Sequence, residues 1–97
     1  MRSRLDKWLW CARFYRTRVL AQAACERGAI RVNGSRTVKP HFLIGAGDVL
    51  TFAQGQTVRV VRVKALAERR GAAPDARTLY DDLSADPSPT EPRREPE

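Results

Sequence analysis

Bases recur through the first half of the chain at intervals that local structure could gather: Arg4, Lys7 and Arg13, then Arg16 and Arg18, then Arg27, Arg31 and Lys39. Guanidinium and ammonium groups neutralise anions, and a polyanion releases condensed counterions for each phosphate so neutralised. Residues 1–64 hold thirteen Lys and Arg against three acids, Asp6, Glu26 and Asp48, which is +10; residues 65–97 carry −3, and the two parts make the total of +7. A compact body this positive repels itself, and a polyanionic partner is the usual reason such repulsion is tolerated. Charge alone leaves a merely soluble surface as the alternative.

Other chemistries find little support. General acid–base or nucleophilic catalysis needs a base, a nucleophile or paired carboxylates within mutual reach, and the basic body offers three separated acids and one histidine, His41, beside Pro40. No catalytic residue is assigned. Asp48, in "GAGD", is expected to accept backbone N–H bonds within its own turn. Cys11 and Cys25 stand fourteen apart without a metal-type spacing, so no metal site or cofactor is expected and both read as space-filling thiols. The N-terminus lacks the apolar run and cleavage site of a signal peptide, and no stretch is long enough to span a bilayer. A cytoplasmic protein with no membrane partner is expected.

The elements that would position the bases follow from periodicity. In "RLDKWLWCARFY", Leu5, Trp8, Leu9 and Ala12 form one apolar stripe, which predicts a first helix. Its opposite face would carry Asp6, Lys7, Trp10, Arg13 and Phe14, two rings among charged groups. Thr17 is a good N-cap for a second helix, with Val19, Leu20, Ala23 and Ala24 on its apolar side, Arg18, Gln22, Cys25 and Glu26 outward, and Gly28 at its end. "AIRVNGSRTV" predicts a hairpin about Asn33-Gly34, with Ile30 and Val32 on one face and Arg31 on the other.

A turn from Gly45 to Asp48 leads into a strand on which Leu50 and Phe52 share a face. "TVRVVRVKAL" is strongly β-prone, but its alternation slips, and a bulge near Val60 and Val61 would reconcile it. In "DARTLYDDLS", Ala76, Leu79, Tyr80 and Leu83 recur at helical spacing and predict a short C-terminal helix. The fold class is therefore α+β: a helix pair packed on a small, mostly antiparallel sheet of about four or five strands. The expected organisation is a basic domain over 1–66, a linker and short helix over 67–84, and a disordered tail over 85–97, where Pro is frequent and apolar residues are nearly absent.

Exposed aromatics among arginines suit RNA better than duplex DNA, because unstacked bases can lie on rings while phosphates take the charges. Trp10 and Phe14 fit that role, or else cover the hairpin or the terminal helix. The order "RLDKWL", "TRVLAQAACERGAIRVNG", "VKP" and "GD" ahead of a strand resembles the small RNA-binding domain named after small-subunit ribosomal protein four, the S-four domain with its alpha-L RNA-binding motif. The stretch "RLDKWLWCARFYRTR" and "LYDDLS" further resemble a ribosome-associated heat-shock branch of that superfamily.

The resemblance implies RNA contacts at Arg4, Lys7, Arg13, Arg16, Thr17, Arg18 and Gln22, with Arg27, Arg31, Asn33 and Lys39 as outer candidates. Trp10 is added for stacking. It makes Leu5, Leu9, Leu20 and Val32 core and Asp6 an internal partner for an arginine. It further implies a non-catalytic protein of the heat-shock or ribosome-rescue response. Its implied partners are ribosomal RNA, free large ribosomal subunits and peptidyl-tRNA, with weak DNA binding and a monomeric state. The competing readings are an accessory protein of RNA modification or tRNA handling, and a general binder of DNA and RNA.

Overall fold

The computed structural model describes residues 2–84. A short strand β1 (Ser3–Arg4) leads into helix α1 (Leu5–Cys11), followed by α2 (Arg18–Glu26), the hairpin β2 (Ile30–Val32) and β3 (Ser35–Thr37), and β4 (Leu43–Ile44). Two longer strands, β5 (Val49–Gln54) and β6 (Thr57–Val63), come next; a short helix α3 (Ala73–Ala76) and a 3-10 turn (Arg77–Leu79) then reach β7 (Tyr80–Asp82). The main sheet is antiparallel, in the order β3-β2-β5-β6-β7, and β1 pairs with β4 separately. This is the expected α+β arrangement of a helix pair on a five-stranded sheet. The tail expected to be disordered, 85–97, lies outside the described residues.

One face of the sheet meets the helices. Ile30, Val32, Leu50, Phe52, Val61 and Val63 are buried there, against Leu5, Trp8, Leu9 and Phe14. The hairpin forms as its sequence predicts: Asn33 (φ 53) and Gly34 (φ 86) both take left-handed conformations, the pairing that a two-residue type I′ turn needs. Leu50 and Phe52 share the buried face as alternation requires.

The first helix is shorter than its periodicity suggests. It ends at Cys11, because Arg13 adopts φ 66 and the chain reverses through two bonds, Arg13 N–H to Trp10 O (3.0 Å) and Phe14 N–H to Leu9 O (3.0 Å). That pair is a Schellman closure. Phe14 consequently turns inward instead of facing water: it is buried, with its ring 5.0 Å from that of Phe52 and 4.7 Å from that of Tyr80. The second helix closes in the same way at Gly28 (φ 75), through Gly28 N–H to Cys25 O and Ala29 N–H to Ala24 O.

Three further expectations are corrected. On α2 the buried residues are Ala21, Ala24 and Cys25, while Val19 is 71% and Leu20 50% exposed. Small side chains at that spacing let α2 approach α1 closely, and this rotates the two larger residues outward, so Leu20 is not core. No bulge interrupts β6: pairing with β5 runs unbroken from Gln54↔Thr57 to Val49↔Arg62. Val58 and Val60 lie on the outer face instead, and Arg59, inward by parity, extends over the Phe14 ring at 5.3 Å. Finally, the terminal helix keeps only Ala73–Ala76, and the chain then extends into β7 along β6. Sheet hydrogen bonds there outcompete the helical spacing of Tyr80 and Leu83.

Both cysteines are buried and unpaired, as space-filling thiols. Burial pushes the Cys25 thiol up to about 12, with Asp6 and Glu26 adding to the shift. Since the folded value lies above the ordinary one near 9, the folded protein holds this proton more tightly, and the contribution is complete below about pH 9. It is lost as pH rises towards 12. Chemical denaturation at a series of pH values should therefore show stability falling above pH 9, and Cys25→Ala should reduce that slope; equal slopes would refute the assignment.

Candidate nucleic-acid interface

The basic surface is organised around one buried carboxylate. Helix α1 begins without a side-chain cap, and its first amides instead reach the 40–42 loop, Leu5 N–H to Phe42 O (2.9 Å) and Asp6 N–H to Pro40 O (3.1 Å). This fixes Asp6, only 1% exposed, at the first turn. Arg4 donates to it as a fork, Nε to Oδ1 at 3.2 Å and Nη2 to Oδ2 at 3.1 Å, and the Lys7 amide donates to Oδ1 at 2.7 Å. From α2, Arg18 Nε lies 3.7 Å from Oδ2. Asp6 is thus the internal arginine partner that the resemblance implied.

The geometry leaves both guanidinium groups available. The side chains of Arg4 and Arg18 are 44% and 42% exposed, so each has one edge towards Asp6 and the remainder in solvent. Arg18 is held at the start of α2 because Thr17 caps that helix as predicted, its Oγ1 accepting from Leu20 N–H at 3.1 Å, and Arg4 is held by the pairing of β1 with β4. Lys7 is half-buried on the same turn of α1. The Cys11 thiol reflects this charge: burial pushes it up, and Lys7, Arg18 and Arg70 act in the opposite sense.

The remaining expected residues divide. Arg16 and Thr17 are exposed just before α2, and Gln22 is half-buried one turn beyond Arg18. Arg27 is exposed at the far end of α2, near enough to Tyr15 that its charge opposes the rise which burial imposes on that phenol. Arg31 is exposed on the outer sheet face, and Lys39 is exposed after the hairpin. Asn33 is occupied structurally: its Nδ2 donates to Asp48 Oδ1 (3.1 Å) and its Oδ1 accepts from Val49 N–H (2.9 Å), which ties the hairpin turn to the 45–48 turn. Asp48 also accepts from Gly45 N–H at 2.8 Å, as its turn position predicts.

Two residues lie apart from the Arg4–Arg18 pair. Arg13 stands beyond the C-terminal end of α1, where its Nε donates to Gly71 O at 2.9 Å. Trp10 is half-buried, with the Arg70 guanidinium 5.7 Å from its ring centroid and Arg70 Nε donating to Trp10 O at 3.0 Å. Sequence reasoning missed Arg36, which sits directly opposite Arg31 across the hairpin. The Asn-Gly turn contains that information, since a two-residue loop fixes which residues pair. Like charges so placed are unfavourable without an anion. Among the described residues no group of three or more His, Cys, Asp or Glu could hold a metal ion.

Comparison with known proteins completes the description. The S4 domain family matches residues 3–50. A Heat shock protein 15 homolog of Aeromonas salmonicida is 48% identical over 82 residues, 84% of this chain and 61% of that protein. An RQC P-site tRNA stabilizing factor of Halalkalibacterium halodurans is 36% identical over 87 residues, covering 87% of this chain and 93% of that protein. The chain belongs to the S4 domain family. A trimeric structure of Vibrio cholerae Heat Shock Protein 15 superposes with a TM-score of 0.81 at 38% identity, covering 86% of this chain and 83% of that one. The chain spans about three fifths of the length of the Heat shock protein 15 relatives from Aeromonas salmonicida and Escherichia coli. In this S4 domain protein, the family match covers β1, α1, α2 and the hairpin, the elements that carry Arg4, Asp6, Arg18 and Arg31.

Replacing Asp6 tests the organising role. Asp6→Asn keeps the shape but loses the charge, and should destabilise the fold by about 1–3 kcal/mol, the usual cost of leaving a buried polar group poorly paired. Thermal unfolding unchanged by this substitution would show that the two arginines need no anchor.

Proposed function

We propose that this S4 domain protein is a non-catalytic RNA-binding protein that docks the Arg4–Arg18 surface on structured ribosomal RNA. Its proposed setting is the free large ribosomal subunit carrying a stalled nascent chain on peptidyl-tRNA, in a heat-shock or ribosome-rescue response. The observation that carries the reading is Asp6, a buried acid holding one arginine from β1 and one from α2 with their outer edges in solvent. Guanidinium forks so held lose less freedom on meeting a phosphate than unanchored ones. The names of relatives support the setting: one is an RQC P-site tRNA stabilizing factor, another a heat shock protein.

Arg4, Lys7, Arg16, Thr17, Arg18 and Gln22 form the proposed contact, with Arg27, Arg31, Arg36 and Lys39 at its margin. Trp10, with Arg70 over one side of its ring, is proposed to contact RNA by an edge. No described helix is long and apolar enough to cross a membrane. A cytoplasmic site of action is part of the proposal. Arg4, Asp6 and Arg18 come from one chain, so the contact is proposed to be complete in a monomer, although the Vibrio cholerae relative is solved as a trimer.

Two measurements test this reading. Sedimentation with separated ribosomal subunits should place the protein on large subunits; equal affinity for heparin, duplex DNA and structured ribosomal RNA at matched salt would instead mark a general polyanion binder. Arg4→Ala and Arg18→Ala should each weaken RNA binding and flatten its salt slope by about 0.7–0.9. Unflattened slopes in both variants would move the interface off the helix pair.

A further inference from the structure

The second basic feature is a cavity at the opposite end of α1, with a volume of about 190 Å³, bounded by the α1–α2 turn, the β5–β6 end of the sheet and α3. Arg13, Arg59 and Arg77 line it together with Gln54 and Tyr80, and no carboxylate is in its lining. Each arginine arrives differently. Arg59 is fixed by Gln54 Oε1 (3.0 Å), by Asp82 Oδ2 (3.0 Å) and by the Phe14 ring beneath it. Arg13 uses its Nε on Gly71 O, which directs the guanidinium while leaving both terminal nitrogens without a partner among the described residues. The Arg77 backbone N–H closes α3 on Ala73 O and Asp75 O, and its guanidinium has no hydrogen-bond or ion-pair partner among the described residues.

Three guanidinium groups around one small concavity repel one another, and Asp82 neutralises only the edge of Arg59 that faces it. Ser84 and Arg59 hold the Asp82 carboxyl below its usual range even though burial works the other way, so this one counter-charge is already committed. The backbone adds an independent observation. Arg13 occupies the left-handed position that Gly28 fills in the identical closure of α2, and a non-glycine residue there costs about 1 kcal/mol. Strain of this kind persists only where the surrounding structure holds it, and it clusters at ligand clamps.

We propose that this cavity binds a phosphate group, held by the terminal nitrogens of Arg13 and Arg77 with Arg59 as a fixed third donor. Planar guanidinium forks match phosphate oxygens in pairs, and the Tyr80 ring bordering the cavity offers a surface to the attached sugar or base. Phosphate recognition here is independent of the helix-pair interface; that the phosphate belongs to RNA rests on the proposed function.

Amide chemical shifts followed during titration test the site, in a buffer free of phosphate. Inorganic phosphate should give saturable shifts at Arg13, Arg77 and Tyr80. Those shifts should disappear in Arg77→Ala and in Arg13→Gly, and should persist in Arg4→Ala. Arg13→Gly has the further merit of relieving the backbone strain, so its melting temperature should hold while binding is lost. Absence of saturation in the wild-type protein, or shifts that survive both variants, would overturn the proposal. An RNA trinucleotide without terminal phosphates, compared with its 5′-phosphorylated form, assigns the source: saturation by both identifies a backbone diester, saturation by the phosphorylated form alone a chain end. Loss of RNA binding in Arg4→Ala with the cavity titration intact separates failure of one site from failure of the other.

Discussion

A carboxylate withdrawn from water must be paired, and the pairing of Asp6 organises the end of this protein where the chain enters its first helix. Its oxygens accept from the Arg4 fork and the Lys7 amide and face Arg18, so the entry strand, the first helix and the second helix converge on one acid. Pairs with partly exposed arginines contribute little energy each, on the order of 1 kcal/mol or less. Their larger effect is geometric. An unrestrained arginine carries about 2 kcal/mol of rotamer entropy, and a partner on one edge removes much of that freedom before any ligand arrives.

The two helix closures form a natural comparison within one chain. Both reverse through the same pair of backbone bonds, and both place a residue in the left-handed region. At Gly28 the left-handed backbone favours glycine, and an added Cβ would also stand 2.6 Å from Arg36 Nε and oblige that exposed side chain to move. At Arg13 no such crowding applies, and a long cation occupies the position instead. The result is a protein with charge concentrated at both ends of α1: an acid-anchored pair at the start and a ring of three arginines beyond the finish.

Much of this was legible in the residues. The Thr17 cap, the Asn33-Gly34 hairpin, the Asp48 turn and the alternation of Leu50 and Phe52 each depend on local chemistry, and each is found where the sequence places it. What periodicity could not show was decided by packing between distant segments. The stop after Cys11 rests on a left-handed arginine, a residue type that gives no such signal, and it is this stop that sends Phe14 into the core and Arg13 away from Arg4. The rotation of α2 depends on how close Ala21, Ala24 and Cys25 can come to α1. The conversion of Tyr80–Asp82 from helix to strand depends on the hydrogen-bonding edge that β6 offers it.

That last pairing bears on how the chain survives its own synthesis. Strand β6 is rich in valine, with Val58 60% exposed on the outer face, and its far edge is covered only once Tyr80–Asp82 has been made and laid alongside. Until then a long, sticky β-edge stands open, the kind of template on which nascent or truncated chains aggregate. The final residues of the sheet therefore act as a closing seam, and Arg59 and Arg62 on the same strand, with Lys64 just beyond it, supply the like-charge repulsion that discourages two unfinished molecules from pairing before it shuts.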